Sequence, residues 1–267
     1  MSDLDPSYLL KLDWAQKHLD HLNAEIEAFS SSHPYTVAKR REGKTEVWRL
    51  TFTPALSTDV SLIGADFVHN VRSALDHLTA ALVPASRRDK TYFPIFWEGV
   101  WDPPEEGDDA QALIDRSRWE TIVKKMKPEA VAVLQGLQPY RGYTPQSEKT
   151  HLLSSLNRLW NADKHTRLPY VATGLSHATI TFTLADGSAH VMVDEEPGGL
   201  GDDAKLTWGG SGRVVDVNIT GTMEVAVRVA MPDGYISIGE HFQGILNYAR
   251  NAVVSPLMPY VHVTPER

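Results

Sequence analysis

The chain of 267 residues contains no cysteine. Disulfides, thiolate zinc sites and cysteine nucleophiles are therefore excluded, and the absence suits a reducing compartment. No apolar run approaches the ~18 residues of a membrane span. The opening residues, Met1-Ser2-Asp3-Leu4-Asp5-Pro6, lack the basic stretch and apolar run of a secretory signal. A cytoplasmic protein with no membrane association is expected. Positive charge is also short: 26 Lys+Arg stand against 34 Asp+Glu, a net of −8. That argues against broad binding to nucleic acid, which rests on phosphate neutralisation. His-Glu-x-x-His, Walker and Gly-x-Ser-x-Gly motifs are missing too. No metal and no cofactor are expected.

What is present suits a folded domain. Apolar residues make up 42% and Trp occurs seven times, enough for a substantial core. The negative charge is uneven: residues 171–267 carry 5 Lys+Arg against 11 Asp+Glu. An anion site is therefore expected in the first part of the chain.

The hydrophobic pattern predicts an α+β fold. Leu9, Leu10, Trp14, Leu19, Leu22, Ile26 and Phe29 recur at helical spacing over residues 6–29, after Asp5-Pro6 as a start signal. Residues 35–40 and 46–53 read as a hairpin around Arg41-Glu42-Gly43-Lys44. A helix follows from Thr58-Asp59 to about Val83, stopped by Pro84. Tyr92-Phe93-Pro94-Ile95-Phe96-Trp97 reads as an aromatic plug of the core. Short helices are predicted near 110–126 and 128–137, and another from about 148 to 161. Beyond Pro169 the strands 178–184, 189–193, 214–220 and 223–229 alternate in polarity, with Asp186-Gly187 as a hairpin turn. A last helix covers about 238–254. The expected architecture is an N-terminal helical bundle with a β-hairpin insertion, then a C-terminal antiparallel sheet and a closing helix. Residues 1–170 form the mainly helical part with the polar clusters, and 171–267 the β region with the closing helix, the two packing as one unit.

The chemistry concentrates in two places. The first is Asp66-Phe67-Val68-His69-Asn70-Val71-Arg72-Ser73-Ala74-Leu75-Asp76-His77-Leu78. At about 100° per residue, Phe67, Val71, Leu75, Leu78 and Leu82 form the core stripe. Asp66, Asn70 and His77 lie along one shoulder with Ser73 nearby; His69, Arg72 and Asp76 fall on the far side. Arg72 and Asp76 are four apart and positioned to pair. Arg72 and His77 are about 140° apart, so one helix cannot readily aim both at one small ligand, whereas two copies in a dimer can. The second cluster is Asn161-Ala162-Asp163-Lys164-His165-Thr166-Arg167. Asp163 continues the apolar stripe of Leu152, Leu156 and Leu159. A carboxylate there needs a partner, and Arg72, His77, Lys164 and His165 are the candidates. Lys164 and His165 also suit the end of a helix, where cations favour the dipole.

Arg72-Ser73-Ala74-Leu75-Asp76-His77 resembles the Arg-x4-His pattern of HEPN domains. That resemblance implies a helical bundle, a homodimer with a composite site, and metal-independent endoribonuclease activity of a toxin or antiphage-defence type. RNA would be the partner. His77 would move a proton as a 2′-hydroxyl attacks phosphorus; Arg72 would stabilise the developing charge; Asn70 would orient His77 or the phosphate. Ser73, Asp76, Asp163, Lys164 and His165 would support them. More broadly, Asn70-Val71-Arg72-Ser73-Ala74-Leu75-Asp76-His77-Leu78, Phe93-Pro94-Ile95, Leu137-Gln138-Pro139-Tyr140 and Asn161-Ala162-Asp163-Lys164-His165 resemble a family of uncharacterised bacterial proteins. The competing reading is a non-catalytic binding or scaffold protein whose Arg, His and Asp clusters form a buried polar network.

Overall fold

The computed structural model describes residues 6–43, 45–52, 57–96, 110–139, 151–165, 170–194, 200–201, 203–228 and 235–262. The acidic loop 102–109, Lys44, Tyr140–Gly142, the predicted helix start at 148, Thr166 and Arg167 lie outside the described residues. Helix and antiparallel sheet are mixed, as the patterning predicts. Helices α1 (Ser7–Ser31) and α2 (Thr58–Ala81) flank a hairpin of β1 (Tyr35–Glu42) and β2 (Thr45–Phe52). Then come α3 (Ala110–Val123), α4 (Pro128–Gly136) and α5 (Leu152–His165). Strands β3 (Tyr170–Leu184), β4 (Ala189–Asp194), β5 (Lys205–Leu206), β6 (Val214–Arg228) and β7 (Tyr235–Ser237) precede α6 (Gly239–Tyr248). A π-helical turn, Ala249–Val254, extends α6.

Local signals explain most boundaries. The Ser57 side chain accepts a hydrogen bond from the Asp59 N–H, and Asp59 in the first turn complements the helix dipole. Pro84 cannot continue α2, and the chain turns there into a short 3₁₀ segment, Ala85–Lys90. The β3–β4 turn closes with the Leu184 N–H donating to the Ser188 carbonyl, and Gly187 takes the left-handed φ of +84° that this turn requires.

Two cores result. The first is helical: Leu12, Leu19 and Leu22 of α1 meet Phe67, Leu75 and Leu78 of α2, with Phe93, Ile122, Leu134, Leu156 and Phe242. Early helices and α6 thus share one interior. The second lies between two sheets, ordered β1-β2-β5 and β4-β3-β6-β7. Leu50 and Leu206 of the first sheet pack with Leu175, Ile180, Phe182, Val217 and Ile219 of the second. The hairpin therefore belongs to the β layer in space, although it lies between two helices in sequence. Strand β6 reaches both cores, with Ile219 in the second and Val225 in the first.

One detail of α1 differs from its expected stripe. Leu10 and Trp14 are about half exposed, and Tyr8, Leu12 and Ala15 face the core instead, beside Leu19 and Leu22, which face it as expected. Both runs have helical period; α2 approaches the side on which Ala15 permits close contact.

The stacked pair Phe67 and Phe242, with centroids 4.6 Å apart and planes at 15°, joins α2 to α6. Phe242→Ala is expected to lower unfolding free energy by about 3–5 kcal/mol, measured by urea denaturation with an unchanged slope.

Candidate functional site

The polar residues of α2 divide by what packs over them. Residues 91–96, outside any helix or strand, cross the helical core, with Phe93 and Phe96 buried. Among the described residues no strand pairs with them, so their backbone groups need other partners. Side chains provide these. Arg72 Nη2 donates to the Phe93 carbonyl at 2.7 Å, and the Phe93 N–H donates to Asp76 Oδ1 at 2.8 Å. Arg72 Nη2 and Asp76 Oδ1 lie 3.2 Å apart, which closes the ring. Further along, the Phe96 N–H donates to Gln138 Oε1 at 2.9 Å, while Gln138 Nε2 donates to the Pro94 and Leu134 carbonyls. Three of the motifs noted in the sequence therefore meet in one brace.

Arg72 is 7% exposed, not on an outer face. Burial pushes its pKa down, while the Asp76 carboxylate, and more weakly Tyr92, oppose that shift. Its Nη1 is buried and has no hydrogen-bond partner among the described residues.

The other α2 candidates have different neighbours. His77 is exposed, and its Nδ1 lies 3.0 Å from the Ser7 hydroxyl at the start of α1. Asn70 donates to the Asp66 carbonyl of its own helix at 2.8 Å. Ser73 is half-buried. Arg72 and His77 thus turn to separate partners within one chain.

The second cluster comes beside α2 through His69 rather than Arg72. The His69 ring lies 5.4 Å from that of Trp160, and Lys164 Nζ sits 4.4 Å from the Trp160 centroid. This is a solvent-facing stack with cation–π character. His165 is exposed, and Asp163, half-buried, forms no ion pair among the described residues. The expected partnership of Asp163 with Arg72 or His77 is not formed, because those side chains are engaged by residues 91–96 and α1.

Two arrangements escape the sequence reading. Ser155 Oγ of α5 and His241 Nε2 of α6 share a 2.6 Å hydrogen bond. His151 packs edge-on against Tyr248 nearby in sequence, with centroids 5.8 Å apart. Burial lowers the pKa of both histidines. Eighty-six residues separate Ser155 from His241, so no spacing could reveal the pair. The other is a cleft of about 340 Å³ in the β layer, lined by Lys39, Trp48, Lys205, Trp208 and Arg213 among others. The His190 ring stacks 4.5 Å from that of Trp208, and Gly210 lies so close to the indole that a Cβ there would strike it. Arg49 bonds Glu42 and Asp203, and Lys205 approaches Glu42 at 3.6 Å, so acidic groups partly offset the local charge. The basic hairpin was the available clue; the sequence did not show which Trp residues would join it.

Among the described residues, no three His, Asp or Glu side chains converge as a metal-ligand group, and no helix is long and apolar enough to cross a membrane.

Arg72→Ala is expected to destabilise the fold by about 3 kcal/mol, since it strands Asp76 and the Phe93 carbonyl. His77→Ala is expected to cost less than about 1 kcal/mol. Thermal and urea unfolding of the two variants checks this contrast. The lowered pKa of His151 and His241 also fixes a direction with pH. The unfolded chain takes up protons on each at about pH 6.5, while the folded chain resists until lower pH. Stability is therefore full above about pH 6.5 and is lost as pH falls towards the folded-state values. Urea midpoints between about pH 7.5 and about pH 5 should show this fall, and His241→Asn should reduce it.

No protein-family model matches this chain, and no match is found among curated proteins or solved structures.

Proposed function

We propose that this chain is a non-catalytic binding protein, in which Arg72 and Asp76 hold the fold together and ligand is taken up at the cleft of the β layer. The burial of Arg72 carries this reading. A guanidinium held by the Phe93 carbonyl and Asp76 must leave both to reach a phosphate, and leaving would strand buried groups.

The cleft suits an anionic ligand with flat rings, and single-stranded RNA is the partner class it fits best. Trp48 and Trp208 offer stacking surfaces; Lys39, Lys205 and Arg213 offer charge for the backbone. Nearby Glu42 and Asp203 keep the affinity modest, and the contacts of the cations with phosphate make it salt-dependent. The ribonuclease reading centred on Arg72, His77 and Asn70, with a homodimer completing its site, draws on the exposure of His77.

Fluorescent RNA of mixed sequence tests both. Binding that weakens with salt, and about 10-fold with Trp208→Ala, is expected, with the RNA left intact. Cleavage that disappears in His77→Ala at unchanged thermal stability would instead establish the ribonuclease. Neither binding nor cleavage would remove RNA as the partner.

A further inference from the structure

Strand β4 is the most unusual surface element of this protein. It is an edge strand, and among the described residues it pairs only with β3. Val191 is 60% exposed, Met192 47% and Val193 61%. Opposite β3, residues with buried neighbours occupy the inner face: Met192 faces Ile180, and His190 faces Phe182. Val191 and Val193 stand on the outer face, across from Thr181 and Thr179. An exposed, apolar edge with open backbone groups is a template for another strand.

The direction of those groups follows from the turn. The Leu184 N–H donates to the Ser188 carbonyl. Antiparallel ladders alternate between hydrogen-bonded and non-hydrogen-bonded pairs. Phe182 with His190, and Ile180 with Met192, are then the hydrogen-bonded pairs. The N–H and C=O groups of Val191 and Val193 point away from β3, to the open side.

We propose that β4 pairs with β4 of a second copy of this chain, antiparallel about a two-fold axis through Met192. In that register Val191 of each chain lies opposite Val193 of the other, and their outward backbone groups meet. Two apolar side chains then cover each other on the outer face. On the inner face His190, a donor, lies opposite Asp194, an acceptor, in a non-hydrogen-bonded pair where side chains approach most closely. The other registers open to the same backbone groups, centred on Val191 or Val193, place His190 or Asp194 opposite Met192 and lose that match. The occupant is therefore a second copy, because the strand is complementary to itself in side-chain donor and acceptor, in apolar contact and in backbone hydrogen bonding. The two four-stranded sheets become one continuous eight-stranded sheet. This pairing does not involve Arg72 or His77, and it meets the cleft only through His190, which packs on Trp208.

The absence of cysteine makes a clean test. Light scattering after gel filtration is expected to give twice the 29.7 kDa of one chain. Met192→Cys then carries a single thiol on the two-fold axis, and mild oxidation is expected to link it into a dimer on a non-reducing gel. Val191→Cys, displaced from the axis, is expected to link far less. Val193→Pro removes an outward N–H without touching the β3 ladder and is expected to give a monomer with unchanged circular dichroism. His190→Asp is expected to give a monomer as well, and His190→Asp with Asp194→Lys to restore the dimer. A monomeric wild type overturns the proposal and leaves the edge for a strand of another protein. A dimer that Met192→Cys does not link overturns it too, whether or not Val193→Pro folds.

Discussion

A buried segment outside regular structure, with no neighbouring strand among the described residues, sets the terms for the helical half of this protein. Residues 91–96 deliver Phe93 and Phe96 to the core, and apolar burial of that size favours the arrangement. The same burial removes water from the backbone of those residues. Unpaired N–H and C=O groups in such a place cost free energy comparable to lost hydrogen bonds. Arg72, Asp76 and Gln138 supply the missing partners. An arginine suits this work because it keeps its charge and can donate to two acceptors at once. A residue type that suggests phosphate chemistry in a sequence here replaces the edge of a β-sheet.

The second consequence is a division of labour. The helical core is tied by such braces and by aromatic stacking between α2 and α6. The β layer is more open: its sheets leave clefts on either side of β5, and its edge strand β4 is uncovered among the described residues. Binding surfaces are more available where side chains are not already consumed by the fold. In the helical half, Trp160 lies between His69 and Lys164, and the half-exposed Trp14 carries Lys17 over its ring; both are small platforms.

Much of the architecture was legible from hydrophobic period and punctuation. The α2 stripe, the two hairpins and the closing helix follow from spacing, Pro84 and Asp186-Gly187. The α+β class followed from their order. The placement of Arg72 did not, for a specific reason. Helical phase sets Arg72 about 100° from the centre of the α2 stripe, which reads as an outer flank. Whether that flank meets water depends on residues 91–96, whose path no period encodes. Asp163 illustrates the same limit: its stripe was correctly periodic, but Arg72 and His77, two of its expected partners, are held by residues 91–96 and α1. Ser155 and His241 meet through the packing of α5 on α6, which a linear reading cannot measure. In β4 the alternation was read as half-buried, whereas all of residues 189–193 are exposed. The opposing sheet covers β3 and β6 and stops short of the edge.

The shared core has a temporal meaning. Phe242, Ile245 and Leu246 of α6 fill the same interior as α1 and α2, and Arg250 reaches back to the Leu12 carbonyl and Asp13. A ribosome delivers α1 first and α6 only after every strand. Until then the part of the α1–α2 core that α6 covers stays open, during synthesis at about 5–20 residues per second. The β layer, by contrast, needs no residue beyond β7 for its own interior. Assembly in the cell should therefore run from the sheets inward, with the helical core closing last.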